Sequence, residues 1–253
     1  MDGGATAEGR QPEVAAIMRL LILNILNPKP SIGYKPLDFK FVPKHAITNK
    51  WKKKHFPLTS MDPDPFKEFK KWITLAESQN NMDVEAMTLA TVSKDCIPSA
   101  RMVLFKGLRD NGFLFYSNYE SKKAKELEIN PNASLVFYWP AIYRQIRIDG
   151  KVKRLTRLES EDYFRTRTRE SQIAAWTSEQ SREVKSFKDL DKKFDTFNEK
   201  FEGKDVPCPP FWGGFRLEPI EMEFWLGQKH RMHHRYLYTL SEPDQWTQKL
   251  LSP

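Results

Sequence analysis

Over residues 86–118 apolar side chains recur at every second position in three runs, 86–93, 98–106 and 113–118, separated by Lys94-Asp95 and by Asp110-Asn111-Gly112. A period of two with turns this tight specifies antiparallel strands in meander order. Two more such runs, 134–139 and 144–154, flank a turn at Pro140, and the last three lie at 215–225, 235–240 and 246–251. Helical spacing is confined to the stretches around and between them. Phe66, Phe69, Trp72, Ile73 and Ala76 recur at three and four behind Asp62, Asp64 and Pro65, which suit a cap and a first turn. Ser121 opens a short basic helix closed by Asn130-Pro131, and residues 159–201 are helical in pattern with a break at 177–181. Helices this few cannot alternate with the strands. The pattern therefore predicts a mainly β chain, an antiparallel barrel with peripheral α-helices, and not a doubly wound sheet. Neither GxGxxG nor GxxxxGK[ST] occurs, so dinucleotide and Walker-type sites are unsupported.

Charge narrows the choice of partner. The 253 residues carry 41 Lys/Arg against 33 Asp/Glu, a net +8 that points to an anionic ligand. Residues 1–60 hold 10 of these cations and 4 of the acids, whereas residues 61–253 hold 31 and 29. The excess thus sits in an arm, 1–57, rich in Pro and Lys and partly disordered by composition, ahead of a nearly neutral domain, 58–253. Lys50, Lys52, Lys53 and Lys54 beside Trp51 and Phe56 are read as a solvated or chain-contacting arm; no nucleic acid and no membrane partner is expected. The apolar run 15–26 contains Arg19 and is too short to span a bilayer. Cys96 and Cys208 lack metal or disulfide spacing, which suits a reducing, cytoplasmic setting, with organelle targeting left open.

Four groups of residues can carry chemistry. Arg101 and Lys106 lie on opposite faces of one apolar strand, as anion ligands or as strand-end charges. Ser121-Lys122-Lys123 begins a helix, where backbone donors and cations can together hold a phosphate, or else form a solvated basic turn. Tyr163, Arg167, Arg169 and Ser171, followed by Gln180-Ser181, supply clustered donors for an anion, or a surface basic helix. His230, His233 and His234 lie among cations with no nearby carboxylate, and no metal is expected there.

Taken in order, these motifs resemble the pyridoxamine (pyridoxine) 5'-phosphate oxidase family over residues 58–253. They are Ser99-Ala-Arg-Met-Val-Leu-Phe-Lys106, Tyr116-Ser-Asn118, Ser121-Lys-Lys-Ala124, Leu135-Val-Phe-Tyr-Trp139, Arg144-Gln-Ile-Arg147, Tyr163-Phe164 with Arg167, Ser171-Gln-Ile173, Gln180-Ser181, Trp212-Gly-Gly214, Glu223-Phe-Trp225 and Arg231-Met-His233-His-Arg235. The resemblance implies a split antiparallel β-barrel with peripheral α-helices, a homodimer with FMN at the subunit interface. It further implies oxidation of pyridoxine 5'-phosphate and pyridoxamine 5'-phosphate to pyridoxal 5'-phosphate, with dioxygen as acceptor and hydrogen peroxide as product. FMN would be held by Arg101, Met102, Val103, Leu104, Tyr116, Ser117, Lys122, Lys123, Gln145, Gln180, Ser181, Trp225 and Arg235. Lys106, Tyr163, Arg167 and Ser171 would grip the substrate phosphate, and Arg231, Met232 and His233 would lie against its ring, with Arg231 and His233 catalytic.

Several positions depart from the family pattern. Lys122 stands in place of an Arg, which keeps the charge and loses the fork. His234 replaces an Asp, Thr168 a Pro, Ala174 a Gly and Met232 a Leu, and the chain closes on Lys249-Leu-Leu-Ser-Pro253 rather than Arg-Leu-x-Pro. His234 and Leu250 motivate the alternative of a low-activity paralogue that binds FMN or pyridoxal 5'-phosphate without turning over.

Overall fold

The computed structural model describes residues 60–79 and 83–253; the arm predicted at 1–57 lies outside them. The chain opens with helix α1 (Pro65–Ser78), whose cap is Asp64: its carboxylate accepts from the Phe66 and Lys67 amides. Strands β1 (Ala86–Val92), β2 (Pro98–Leu104), the two-residue β3 (Leu108–Arg109) and β4 (Gly112–Asn118) follow, then helix α2 (Lys122–Ile129). β5 (Asn132–Trp139) and β6 (Arg144–Arg154) form the next hairpin. Helices α3 (Arg157–Arg165), α4 (Arg169–Thr177) and α5 (Phe187–Lys200) lead to β7 (Trp212–Leu226), a 3-10 turn (Lys229–Arg231), β8 (His234–Glu242) and β9 (Gln245–Leu251).

All strand pairs are antiparallel, in the order β2-β1-β5-β6-β7-β4-β3, with β8 on the second half of β7 and β9 on β8. The path ends on β2 at one edge and β3 at the other, joined through residues 105–107, so the sheet curls without closing into a ring. That is the mainly β, split-barrel architecture expected. α1 fills the concave side: Phe69 meets Phe105, Phe113 and Phe137 edge-on at 5.3, 5.0 and 5.2 Å. Aromatic pairs in this geometry add roughly 0.5–1.5 kcal/mol each beyond area burial.

The helical stretch differs from its prediction. In place of one break at 177–181 it has two, at residues 166–168 and 178–186. The first arises from threonines that satisfy backbone groups themselves. Thr166 Oγ1 donates to the Tyr163 carbonyl at 2.8 Å, and Thr168 caps α4 by accepting from the Ser171 amide at 3.3 Å. Thr168, a departure from the family's Pro, is thus a working cap. These helices pack Phe164, Ile173 and Phe201 on Trp212 at the start of β7, a second core beside the first. The next residues of β7 must be glycine: a Cβ at Gly213 would lie 2.0 Å from Tyr119 Oη, and one at Gly214 2.7 Å from the Tyr116 ring. Among the described residues no helix is long and apolar enough to cross a membrane.

Candidate active site

An open pocket of about 810 Å3 lies where β2, β4, α2 and the α3–α4 pair meet. It is lined on one side by Arg101, Met102, Val103, Leu104 and Lys106, and on the other by Tyr116, Ser117, Lys122 and Lys123. Tyr163, Arg167, Ser171, Gln180 and Ser181 complete it. The β2 alternation has the effect expected of it: Met102 and Leu104 are exposed, while Arg101 and Val103 are half-buried.

The residues at the start of α2 are held to their neighbours by a compact donor network. Lys123 is buried, and its Nζ donates to Gln180 Oε1 at 2.8 Å, Ser117 Oγ at 3.1 Å and Ser121 Oγ at 3.3 Å. The Lys122 amide donates to Ser181 Oγ at 3.2 Å, and Asn118 Nδ2 to the Ser178 carbonyl at 3.2 Å, which fastens the loop after α4 to this corner. Burial, helped by the nearby Arg101 charge, brings the Lys123 ammonium down to about 8, although Glu126 opposes the shift. Arg101 donates to Ser99 Oγ at 2.6 Å and to Glu126 Oε2 at 3.3 Å.

The α3 side carries an aromatic stack. Tyr163 lies on Tyr116 at 3.8 Å with planes 13° apart, and Trp212 continues the layer 5.4 Å from Tyr116. Burial pushes the Tyr116 hydroxyl up to about 12, with Tyr163 adding to the shift, so it remains a donor at neutral pH. The Arg167 guanidinium sits 4.7 Å over Trp212, and its buried Nη1 has no hydrogen-bond partner. An unpaired guanidinium nitrogen is costly to bury, and the Arg167 side chain is among those that line the pocket. Lys106 is paired with Glu85 at 2.6 Å, so its charge is neither free in solvent nor committed to a core partner.

Six predicted residues lie elsewhere. Gln145 on β6, Trp225 on β7 and Arg235 on β8 are direct cross-strand neighbours. Glu223 is buried and holds Arg235 by a fork, at 2.8 and 3.0 Å, while Arg147 adds a contact at 3.1 Å. The His233 ring is 4.6 Å from Trp225, and its Nδ1 accepts from the Gln228 amide at 3.1 Å. Arg231 and Met232 project from the 3-10 turn, both exposed. His230 and Arg231 have φ of 58° and 61°, a left-handed pair that costs roughly 1 kcal/mol or more per residue and is typical of functional turns. None of the six lines the pocket. Trp212, which does, is thirteen positions from Trp225 along β7, roughly 40 Å of strand contour.

Two family models cover most of this architecture. Residues 76–201 match the one described as pyridoxamine 5'-phosphate oxidase, and residues 212–253 the pyridoxine 5'-phosphate oxidase C-terminal dimerisation region. The chain belongs to the pyridoxamine 5'-phosphate oxidase family. This is a family of FMN-dependent oxidoreductases, and the protein is an enzyme of that class. A pyridoxine/pyridoxamine 5'-phosphate oxidase of Coxiella burnetii is 50% identical over 190 residues, covering 75% of this chain and 96% of that protein. One from Salinibacter ruber is 46% identical over 192 residues, covering 75% and 89%. Among solved structures, PhzG from Burkholderia lata, in complex with tetrahydrophenazine-1-carboxylic acid, superposes with a TM-score of 0.72 at 29% identity, over 76% of this chain and 94% of its own. A pyridoxamine 5'-phosphate oxidase-related, FMN binding protein from Nostoc punctiforme shares the fold at 15% identity, with a TM-score of 0.63 over 77% and 100%.

In this oxidase several site residues carried no assigned role in the sequence, although Asn118, Trp212 and Glu223 lie within its family-like motifs. Trp212, Asn118 and Ser178 also line the pocket, and the buried acids Glu126 and Glu223 hold Arg101 and Arg235. Spacing carried a signal for both acids. Glu126 follows Lys122 by one helical turn, and Glu223 precedes Trp225 by two positions, on the same strand face.

Proposed function

We propose that the protein oxidises pyridoxine 5'-phosphate and pyridoxamine 5'-phosphate to pyridoxal 5'-phosphate, with FMN as hydride acceptor and dioxygen as the final oxidant. The observation that carries this is one pocket lined by two separate sets of anion ligands. Arg101, Ser117, Lys122 and Lys123 form one, while Lys106, Tyr163, Arg167 and Ser171 form the other. Two sets suit two phosphorylated ligands, a flavin mononucleotide and a vitamer phosphate. The donor chemistry fits: hydroxyls, ammoniums and a guanidinium whose Nη1 is buried and unpaired. When bound, FMN supplies hydride acceptance and its return to the oxidised form by dioxygen, which yields hydrogen peroxide.

The protein's own residues bind, orient and donate. Lys106 exchanges Glu85 for the substrate phosphate, and Arg167 and Ser171 fix its remaining oxygens. Tyr116, kept protonated by burial, presents a hydroxyl donor to the flavin side. Because His233 Nδ1 accepts the Gln228 amide, its ring proton resides on Nε2, and the face it turns to substrate is a donor. Gln145, Trp225, Arg231, Met232, His233 and Arg235 serve the pocket of a second copy, so that each site in a homodimer takes one group from each chain. The separation along β7 and the match of residues 212–253 to a dimerisation region support that arrangement. The relatives' names favour turnover over a binding-only role.

One pH dependence follows. In the free protein Lys123 loses its proton near pH 8, whereas beside a phosphate dianion it is held charged. Binding above pH 8 therefore takes up a proton, and FMN affinity should fall as pH rises, by up to about tenfold per unit. Fluorescence quenching of FMN titrated into apoprotein measures it, and Lys123→Met should flatten the profile. The function itself is tested aerobically: protein reconstituted with FMN should release one peroxide per pyridoxal 5'-phosphate formed. Absence of peroxide with both substrates contradicts it.

A further inference from the structure

A buried carboxylate lies behind the cations of the pocket, itself outside the pocket lining. Glu126 lies on α2, one turn beyond Lys122, and is 5% exposed. Its carboxylate accepts from Thr91 Oγ1 at 2.5 Å on β1, and from Ser99 Oγ at 2.7 Å and Arg101 Nη2 at 3.3 Å on β2. Lys122 Nζ stands 3.8 Å from its other oxygen. Two of the three cations around the inferred FMN phosphate thus pair directly with this acid. The third, Lys123, is faced by Ser117 from β4, Gln180 from the loop after α4, Ser121, and two charges: Arg101, which repels its proton, and Glu126, which favours it.

The charges balance in a specific way. Arg101, Lys122 and Lys123 contribute three positive charges and Glu126 one negative, which leaves two. A phosphate monoester carries close to two negative charges at neutral pH, whereas a diester carries one and an unphosphorylated flavin none. We infer that Glu126 is the positioning and specificity-determining residue of this cradle: it anchors Arg101 and sets the net charge of the cation set to match a phosphate monoester. The inference rests on the assignment of these cations to the FMN phosphate. Without the Glu126 charge, Arg101 loses its anchor and Lys123 gives up its proton at lower pH, so the cradle weakens where a merely structural role would leave its titration alone.

The test titrates full-length apoprotein with FMN and, separately, with riboflavin across a range of pH. Glu126→Gln should bind FMN roughly tenfold more weakly near pH 8, and the pH at which affinity starts to fall should move down by about one unit. Riboflavin, which has no phosphate, should bind the variant and the wild type alike. Glu126→Asp, which keeps the charge, should hold the wild-type pH profile, and it carries the test if the glutamine variant fails to fold. Equal weakening of FMN and riboflavin with an unmoved pH profile overturns the inference, as does unchanged FMN binding or a shifted profile in Glu126→Asp. Wild-type protein that binds neither flavin overturns the cofactor assignment itself, and the inference with it.

Discussion

Arg101→Met should yield protein that purifies without flavin and binds added FMN at least about a hundredfold more weakly than wild type. The Arg101 side chain is only 21% exposed, and its guanidinium donates to Thr91, Ser99, the Leu89 carbonyl and Glu126. Methionine fills much of the same volume, but it removes one of the phosphate cations and leaves Glu126 with two hydroxyls and only the exposed Lys122, 3.8 Å away, as a cation. Truncating one partner of a desolvated charged contact to a bound group costs roughly 2–5 kcal/mol, on the order of a hundredfold in affinity, while the stripped Glu126 weakens the fold itself. The same variant should lower the apoprotein's melting temperature. Lys122→Met is the control: that side chain is 64% exposed and 3.8 Å from Glu126, so its loss should cost about 1 kcal/mol or less. A calorimetric titration of both variants decides the matter, and equal effects from the two would show that Arg101 is not the anchor.

The second large effect is recovery, not loss. Arg101→Met damages the pocket half of the site, and His233→Ala the half built on β7 and β8. Each homodimer should be close to inactive. If each site takes one half from each chain, a mixed dimer contains one site with both lesions and one with neither. Co-refolding equal amounts of the two variants should then restore about a quarter of wild-type activity, the statistical share of intact sites under C2 pairing. Sites built within single chains would give no recovery on mixing. Trp212, at the pocket, and Trp225 stand thirteen residues apart along β7, and recovery on mixing is therefore the expected outcome.

The β-meander was legible because alternation and turn chemistry are local: the runs at 113–118 and 144–154 fall within a residue of β4 and β6 as observed. The two-residue β3 is too short to have a period. The stretch 159–201 reads as helix with a single break at 177–181 because Thr166 and Thr168 differ little from helix-compatible residues until their hydroxyls are seen to cap the ends. Most of the candidate ligands carried a signal in their own chemistry, being Arg, Lys, Tyr or Ser in donor-rich clusters. Their partners carried a weaker one, in spacing alone: Glu126 follows Lys122 by one turn and Glu223 shares a strand face with Trp225. Glu126 and Glu223 look like ordinary surface acids until the pairings of β1 with β2 and β7 with β8 place cations against them. The division of the candidate ligands between a pocket and a separate strand row is a property of register, which composition and motif order do not encode.

Anaerobic mixing of the FMN-reconstituted protein with pyridoxine 5'-phosphate or pyridoxamine 5'-phosphate tests the central claim most directly. The visible flavin band should bleach as pyridoxal 5'-phosphate forms in equal amount, and admission of dioxygen should restore the band with release of peroxide. A flavin-loaded protein whose band stays unchanged with both substrates would contradict the account.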